Sequence, residues 1–263
     1  MKYLKPGKDF PYNGQVARWW LQRALDASHH RAYRKIADFI RDSYLHEPKL
    51  IVDYACGAGN LLFYLSEKFP NSRLSGLDGS SFLLDQARRL LFPRVNDQRL
   101  KLIETSLPDM NLMRGRADLA IYCFPNMVFP PRSELLLSEN DRKIARSLSL
   151  DEGDDDAKAV QAGLEQGRVI SLNLRRLLSR GGICIRVEYA TIQRHDLSPE
   201  EITLVSFEEG SLDEKINGRR PHVWFRVLAS TFFRSRVLED VYEQTADERD
   251  RNGGYLITVL KAI

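Results

Sequence analysis

The stretch Val52-Asp53-Tyr54-Ala55-Cys56-Gly57-Ala58-Gly59-Asn60 constrains this chain more than any other. A short apolar run from Leu50 ends in an acid and two glycines, and a helix-forming stretch follows at once. An apolar run of this length bounded by glycine suits a buried strand. Gly57 and Gly59 permit the tight turn by which a strand passes into a helix, and they let the backbone approach a ligand closely. The N–H groups at the helix start then face a crevice suited to polar ligand groups. In an open parallel sheet, ligands bind at the carboxyl ends of the strands, near the point where strand order reverses.

The flanking sequence supplies such a sheet. After the strand at Leu50–Tyr54 the pattern predicts a helix over Asn60–Phe69 and a strand over Arg73–Leu77. A helix over Ser81–Phe92 and strands over Leu100–Glu104 and Asp118–Cys123 come next. A long helix over Ala157–Ser179, stopped by Gly181-Gly182, leads to a strand over Ile183–Tyr189. Strands alternating with helices point to a parallel sheet covered on both faces. The last third changes character, with strands at Ile202–Phe207, His222–Ala229, Val237–Tyr242 and Tyr255–Ile263. The Asn252-Gly253-Gly254 turn signal joins the final pair, so the last strand is expected to be antiparallel. Ahead of the sheet, Met1–Gly14 reads as an irregular arm, and Gln15–Tyr44 as helix with a break near Ser28–His30.

The expected class is α/β: a Rossmann-like, seven-stranded, doubly wound sheet with an antiparallel last strand, an N-terminal helical arm and an antiparallel strand extension. Residues 1–48 form the arm and its helices, and 49–263 the main domain, with a lid-like insertion at 130–153 and the extension at 199–233. Composition sets bounds on the rest. Hydrophobic residues make up 43% and charged residues 29%, a globular balance. No apolar run approaches the roughly 20 residues of a membrane span, and the polar N-terminus lacks a secretory pattern, so a cytoplasmic protein is expected. Cys56, Cys123 and Cys184 have neither metal-ligand nor disulfide spacing, so no metal is expected. A net charge of +3 is too mild to imply nucleic acid as partner. The acidic run Asp151–Asp156 and the arginines between Arg219 and Arg236 read first as solvated faces.

The second signal is Gly76-Leu77-Asp78 at the end of the next strand. Asp78 stands 21 positions after Gly57, the distance at which an acid reaches ribose hydroxyls. A carboxylate supplies the two acceptors that vicinal hydroxyls need. A dinucleotide-binding domain shares both features, but its fingerprint has a third glycine where this chain has Leu62. Asp53 would also repel a pyrophosphate, whereas a sulfonium and an ammonium would favour it.

Asp53-x-Ala-Cys-Gly57-x-Gly59, with Asp78 after the next strand, resembles the class I S-adenosylmethionine-dependent methyltransferases. Thr105-Ser106-Leu107, Asp118–Asn126 and Leu177–Gly182 resemble further family motifs in the same order. The resemblance implies S-adenosyl-L-methionine as cofactor. It places Asp53, Ala55, Gly57 and Gly59 at the methionine end and Asp78 at the ribose. Gly79 and Ser80 would lie beside the adenine, with Ser106 and Leu107 on its other side, and Cys123 and Phe124 near the sulfonium. Ser106 stands where the family often has an acid.

The resemblance implies methyl transfer, and the loosely matching roofed architecture suggests a small-molecule acceptor, methylated on N or O. Tyr122, Asn126, Glu188 and His222 are the candidate acceptor-side residues, with His195 beside them. A histidine has a pKa suited to proton transfer, and Glu188 could receive a proton from an amine. A homodimer is compatible with these features. Three other readings stay open: an RNA or protein methyltransferase docking through Arg219–Arg236, an NAD(P)-dependent oxidoreductase, and a non-catalytic interaction protein that keeps the fold.

Overall fold

The computed structural model describes residues 15–44, 46–105, 115–124, 173–190, 225–234 and 254–263. Helices α1 (Gln15–Ala24) and α2 (Ala27–Ser43) come first, then β1 (Leu50–Tyr54), α3 (Asn60–Lys68), β2 (Arg73–Asp78) and α4 (Ser81–Leu91). The strands β3 (Leu100–Glu104), β4 (Ala117–Cys123), β5 (Leu178–Ala190), β6 (Phe225–Arg234) and β7 (Gly254–Ala262) complete them. The seven strands form one sheet in the order β3-β2-β1-β4-β5-β7-β6. The first five in chain order are parallel, and β7 runs antiparallel between β5 and β6.

Strand order reverses between β1 and β4, which pair with each other at the centre. All five residues of β1 are buried, which explains why it reads as an unbroken apolar run rather than an alternating one. One sheet face carries Ile51, Leu74, Leu119, Ile121, Ile185 and Ile257 under α2, α3 and α4. The other carries Val52, Tyr54, Leu77 and Tyr122 against Leu174 and Leu177 of a helical segment at 173–177. Helices thus cover both faces. Helix α2 belongs to the same core: Ala32, Ile36 and Ile40 recur at a four-residue spacing and are buried beneath it. Burial of each isoleucine contributes about 1.5–3 kcal/mol. Helix α4 starts where Ser80 Oγ accepts the Leu83 N–H at 3.2 Å.

Three expectations shift. The break in the N-terminal helix falls at Leu25–Asp26, earlier than Ser28–His30, and Asp26 becomes the N-cap of α2. Strand β5 begins at Leu178, so Gly181 and Gly182 lie inside it rather than ending a helix. The β4–β5 register jumps there from Ala117↔Leu178 to Leu119↔Ile183, a bulge that absorbs the extra residues. The strand paired with β7 is Phe225–Arg234 in place of Val237–Tyr242. The strand read at His222–Ala229 is thus the start of the sheet's edge strand from Phe225 onward. Residues 1–14, 130–153, 199–224 and 237–242 of the expected arm, insertion, extension and strand lie outside the described residues. No described helix is long and apolar enough to cross a membrane.

Candidate active site

Beyond β1 the chain turns on alternate left-handed residues: Ala55 has φ 63°, Gly57 φ 52° and Gly59 φ 79°. Backbone bonds hold this turn against β2. Cys56 N–H donates to the Leu77 carbonyl at 3.0 Å, and Gly59 N–H to the Cys56 carbonyl at 2.9 Å. Gly59 is the N-cap of α3, and no side chain caps that helix. Its first-turn N–H groups and the positive end of its dipole therefore suit an anionic ligand group. The two glycines differ in what surrounds them. A Cβ on Gly59 would sit 2.9 Å from Leu91 Cδ1 and 3.0 Å from Ala87 Cβ of α4. A Cβ on Gly57 would meet nothing within 4 Å, so open space borders the turn there. Leu62, at the third fingerprint position, is fully buried over Gly76 of β2, whose missing side chain makes room for it.

The carboxylates stand at the same sheet edge. Asp53 pairs in register with Gly76 on one side and Ile121 on the other, and Asp78 pairs with Glu104 of β3. By the two-residue period of strands, Asp53, Asp78, Glu104 and Cys123 project to one face. Asp53 is 2% exposed and Asp78 8%. Asp78 Oδ2 accepts the Gly57 N–H and Oδ1 the Ser80 N–H, each at 2.8 Å, and the Gly79 N–H adds to them. Both oxygens are thereby oriented, and each retains lone-pair capacity. Burial raises the Asp78 carboxyl above the usual range, and these N–H donors oppose the rise. Burial pushes Asp53 much further up, and the Asp78 charge adds to it. Burial likewise raises the Cys56 thiol, with Asp78 and Asp53 adding, and the Cys123 thiol, with Asp53 adding. Both shifts disfavour the reactive thiolate, and Cys56 packs in the core over Gly76 beside Leu62 and Leu102.

Across the switch point, β4 ends at Cys123, and Phe124 follows with φ 46°. Its N–H donates to the Val187 carbonyl of β5 at 2.8 Å. The Phe124 ring meets His29 and Tyr33 of α2 edge-on, at centroid distances of 5.9 Å each, and Tyr255 of β7 at 5.8 Å. Tyr255 stacks in turn on Phe233 of β6 at 5.4 Å. Nothing in the local sequence singles out His29, Tyr33, Tyr255 and Phe233 as members of one ring cluster with Phe124. Only the four-residue spacing of His29 and Tyr33 on one helix hints at a shared face, since the ring they meet, Phe124, lies far along the chain.

Asp53, Ala55, Gly57, Gly59, Asp78, Gly79 and Ser80 gather at the ends of β1 and β2, and Cys123 and Phe124 at the end of β4. Tyr122 does not join them: it projects to the opposite face, edge-on to Tyr54 at 5.5 Å, within the second core cluster. Alternation along β4 dictates this, because Cys123 already faces the carboxylates. Glu188 lies in β5, in register with Leu256 of β7. Ser106, Leu107, Asn126, His195 and His222 lie outside the described residues. No cluster of three or more metal-binding side chains occurs among the described residues.

Residues 51–146 match a family model described as "Methyltransferase domain". Trans-aconitate 2-methyltransferase of Rhodopseudomonas palustris (strain BisA53) is 32% identical over 76 residues, 29% of each chain. The enzyme of the same name from Acidovorax sp. (strain JS42) is 50% identical over 44 residues, 17% of each. The matched segment thus spans less than a third of these curated relatives. Among solved structures, geranyl diphosphate C-methyltransferase from Streptomyces coelicolor A3(2) has a TM-score of 0.52 at 12% identity, covering 98% of this chain and 100% of that one. The [4+2]-cyclase SpnF has the same TM-score at 14% identity, covering 90% and 83%. At these identities the likeness is one of fold.

Proposed function

We propose that the chain transfers a methyl group from S-adenosylmethionine to a small-molecule acceptor, on nitrogen or oxygen; the match of residues 51–146 to a methyltransferase-domain model and the sheet order around them support this reading. The observation that carries this reading is the joint placement of the glycine turn and the oriented Asp78 carboxylate, with Asp53 beside them. When bound, S-adenosylmethionine supplies an electrophilic methyl group on a sulfonium. The spare lone pairs of Asp78 suit two ribose hydroxyls, and the N–H groups at the start of α3 suit the carboxylate of its amino-acid tail. Asp53 presents an acid to the cationic part. The residues thus fit a nucleoside with a charged tail better than a dinucleotide.

The protein's chief work in such a reaction is to hold the acceptor in line with the methyl group and exclude water. Phe124 and its aromatic neighbours close the far end of the cleft against water. A small-molecule acceptor is favoured by the curated relatives, which are named for methylation of trans-aconitate. That the cyclase SpnF shares the fold makes turnover the decisive test. The protein is incubated with S-adenosylmethionine carrying a deuterated methyl group and a panel of small acids, amines and alcohols. Mass spectrometry is expected to find S-adenosylhomocysteine and one labelled product. A rise in melting temperature with NAD(P) and none with S-adenosylmethionine would instead favour the oxidoreductase. Transfer only to RNA or protein, falling steeply with salt, would favour the docking reading of Arg219–Arg236.

A further inference from the structure

The two buried acids are not equivalent, and their difference has a consequence for ligand binding. Asp78 has both oxygens on backbone N–H groups of the glycine turn and of the start of α4. Asp53 sits one strand away on the same face, opposite Gly76, so no side chain stands between the two acids on β2. The groups facing Asp53 are the Asp78 carboxylate from β2, the Cys56 thiol from the turn and the Cys123 thiol from β4. Glu104, exposed on β3, lies beyond Asp78. Beyond burial, the charge that raises Asp53 is that of Asp78, and from α2, packed on the same face, the titratable His29 and Tyr33 meet Phe124 next to Cys123. Arg186 of β5 is paired in register with Tyr122, and so belongs to the other face.

We propose that Asp53 is protonated in the ligand-free protein and gives up this proton when the cationic end of the cofactor binds, so that cofactor binding is linked to the release of about one proton. This rests on the reading of the cleft as an S-adenosylmethionine site. Of two carboxyls held close together, the one supplied with N–H donors ionises first and suppresses ionisation of the other. Burial and the neighbouring charge of Asp78 both raise the Asp53 carboxyl, in agreement with this order. An ammonium or sulfonium set against Asp53 reverses the balance: it stabilises the carboxylate, and the proton leaves to solvent. The net charge entering the cleft is then offset in place, with no basic residue required. A neutral ligand of the same nucleoside shape gains nothing from the ionised form and leaves the proton where it is.

Isothermal titration calorimetry tests this with the full chain at about pH 6.5, where the α-amino group of the ligand is already protonated. S-adenosylhomocysteine is titrated in two buffers of very different ionisation enthalpy. 5′-Methylthioadenosine, which lacks the amino-acid tail, serves as the neutral control. The apparent enthalpy with S-adenosylhomocysteine is expected to differ between buffers by the heat of ionising about one buffer molecule, and that with 5′-methylthioadenosine to be the same in both. Affinity for S-adenosylhomocysteine is expected to rise about tenfold per pH unit while Asp53 remains protonated in the free protein. Asp53→Asn is expected to abolish the buffer dependence. Binding with a buffer-independent enthalpy would overturn the proton linkage while leaving the cofactor reading intact. Absence of binding by either ligand would overturn the cofactor reading itself. Proton release that persists in Asp53→Asn would overturn the assignment to Asp53. If that variant does not fold, the wild-type comparison of the two ligands still decides between release tied to the charged tail and no release.

Discussion

The two sides of the switch point are built in contrasting ways. On the β1–β2 side, the site consists of backbone N–H groups, two glycines and two carboxylates within the short stretch from Asp53 to Ser80. On the β4–β5–β7 side it consists of aromatic rings contributed by α2, β6, β7 and Phe124 just past β4, from His29 to Tyr255. One side presents polar groups ordered by local chain geometry, and the other is a buried set of rings brought together by tertiary packing. Changes on the first side should therefore act on ligand affinity, except where a glycine is also a packing contact. Changes on the second should act on stability.

The largest effect expected from this contrast is on the aromatic side. Phe124 is buried among His29, Tyr33 and Tyr255. Phe124→Ala should cost about 3–5 kcal/mol in urea-induced unfolding, the usual cost of emptying such a site. A much smaller loss would mean that these rings are loosely packed. Next comes Gly59→Ala, which combines a left-handed residue with a Cβ driven into Leu91 and Ala87. Left-handed strain and overpacking together predict about 3 kcal/mol by the same measurement. Gly57→Ala sharpens the contrast, because its φ is also positive but its surroundings are open. It should cost only about 1 kcal/mol of stability, with its main effect on S-adenosylhomocysteine affinity. Equal stability losses at the two glycines would break the distinction between packing and ligand approach.

The smallest effect is a pH dependence at Asp53, and its sign follows from burial. The folded-state value lies above the unfolded one. Its contribution to ligand-free stability is thus fully present at pH below the ordinary aspartate value of about 3.9, and is lost as pH rises through the raised value. Asp53→Asn removes this loss. Its melting temperature without ligand should gain on that of the wild type as pH rises above the ordinary aspartate range, and a gap that narrows with rising pH would contradict the assignment.

The same contrast explains what could be read from the sequence. Asp53, Gly57, Gly59 and Asp78 lie close along the chain, and their spacing is set by one strand-turn-helix-strand unit, so position alone places them together. The five parallel strands follow from the same periodicities, whereas the antiparallel β7 is expected from the turn signal before it and runs so beside β5 and β6. The aromatic side depends on which distant segments meet. His29 and Tyr255 carry no local mark of their meeting across Phe124, and Tyr122, two residues before it, falls on the opposite face because strand alternation sends it there. The pairing of β7 with Phe225–Arg234 was hidden for a like reason: a turn signal shows where a chain reverses and leaves open which strand lies alongside.

In the proposed function the Asp78 carboxylate, held by the N–H groups of Gly57, Gly79 and Ser80, receives the ribose of S-adenosylmethionine. Calorimetric titration of wild type and Asp78→Ala with S-adenosylhomocysteine tests it most directly. Saturable binding at one site per chain is expected, weakened by roughly 1–3 kcal/mol in the variant, the cost of stranding the hydroxyls it pairs. Wild-type affinity retained in a folded Asp78→Ala protein would contradict it.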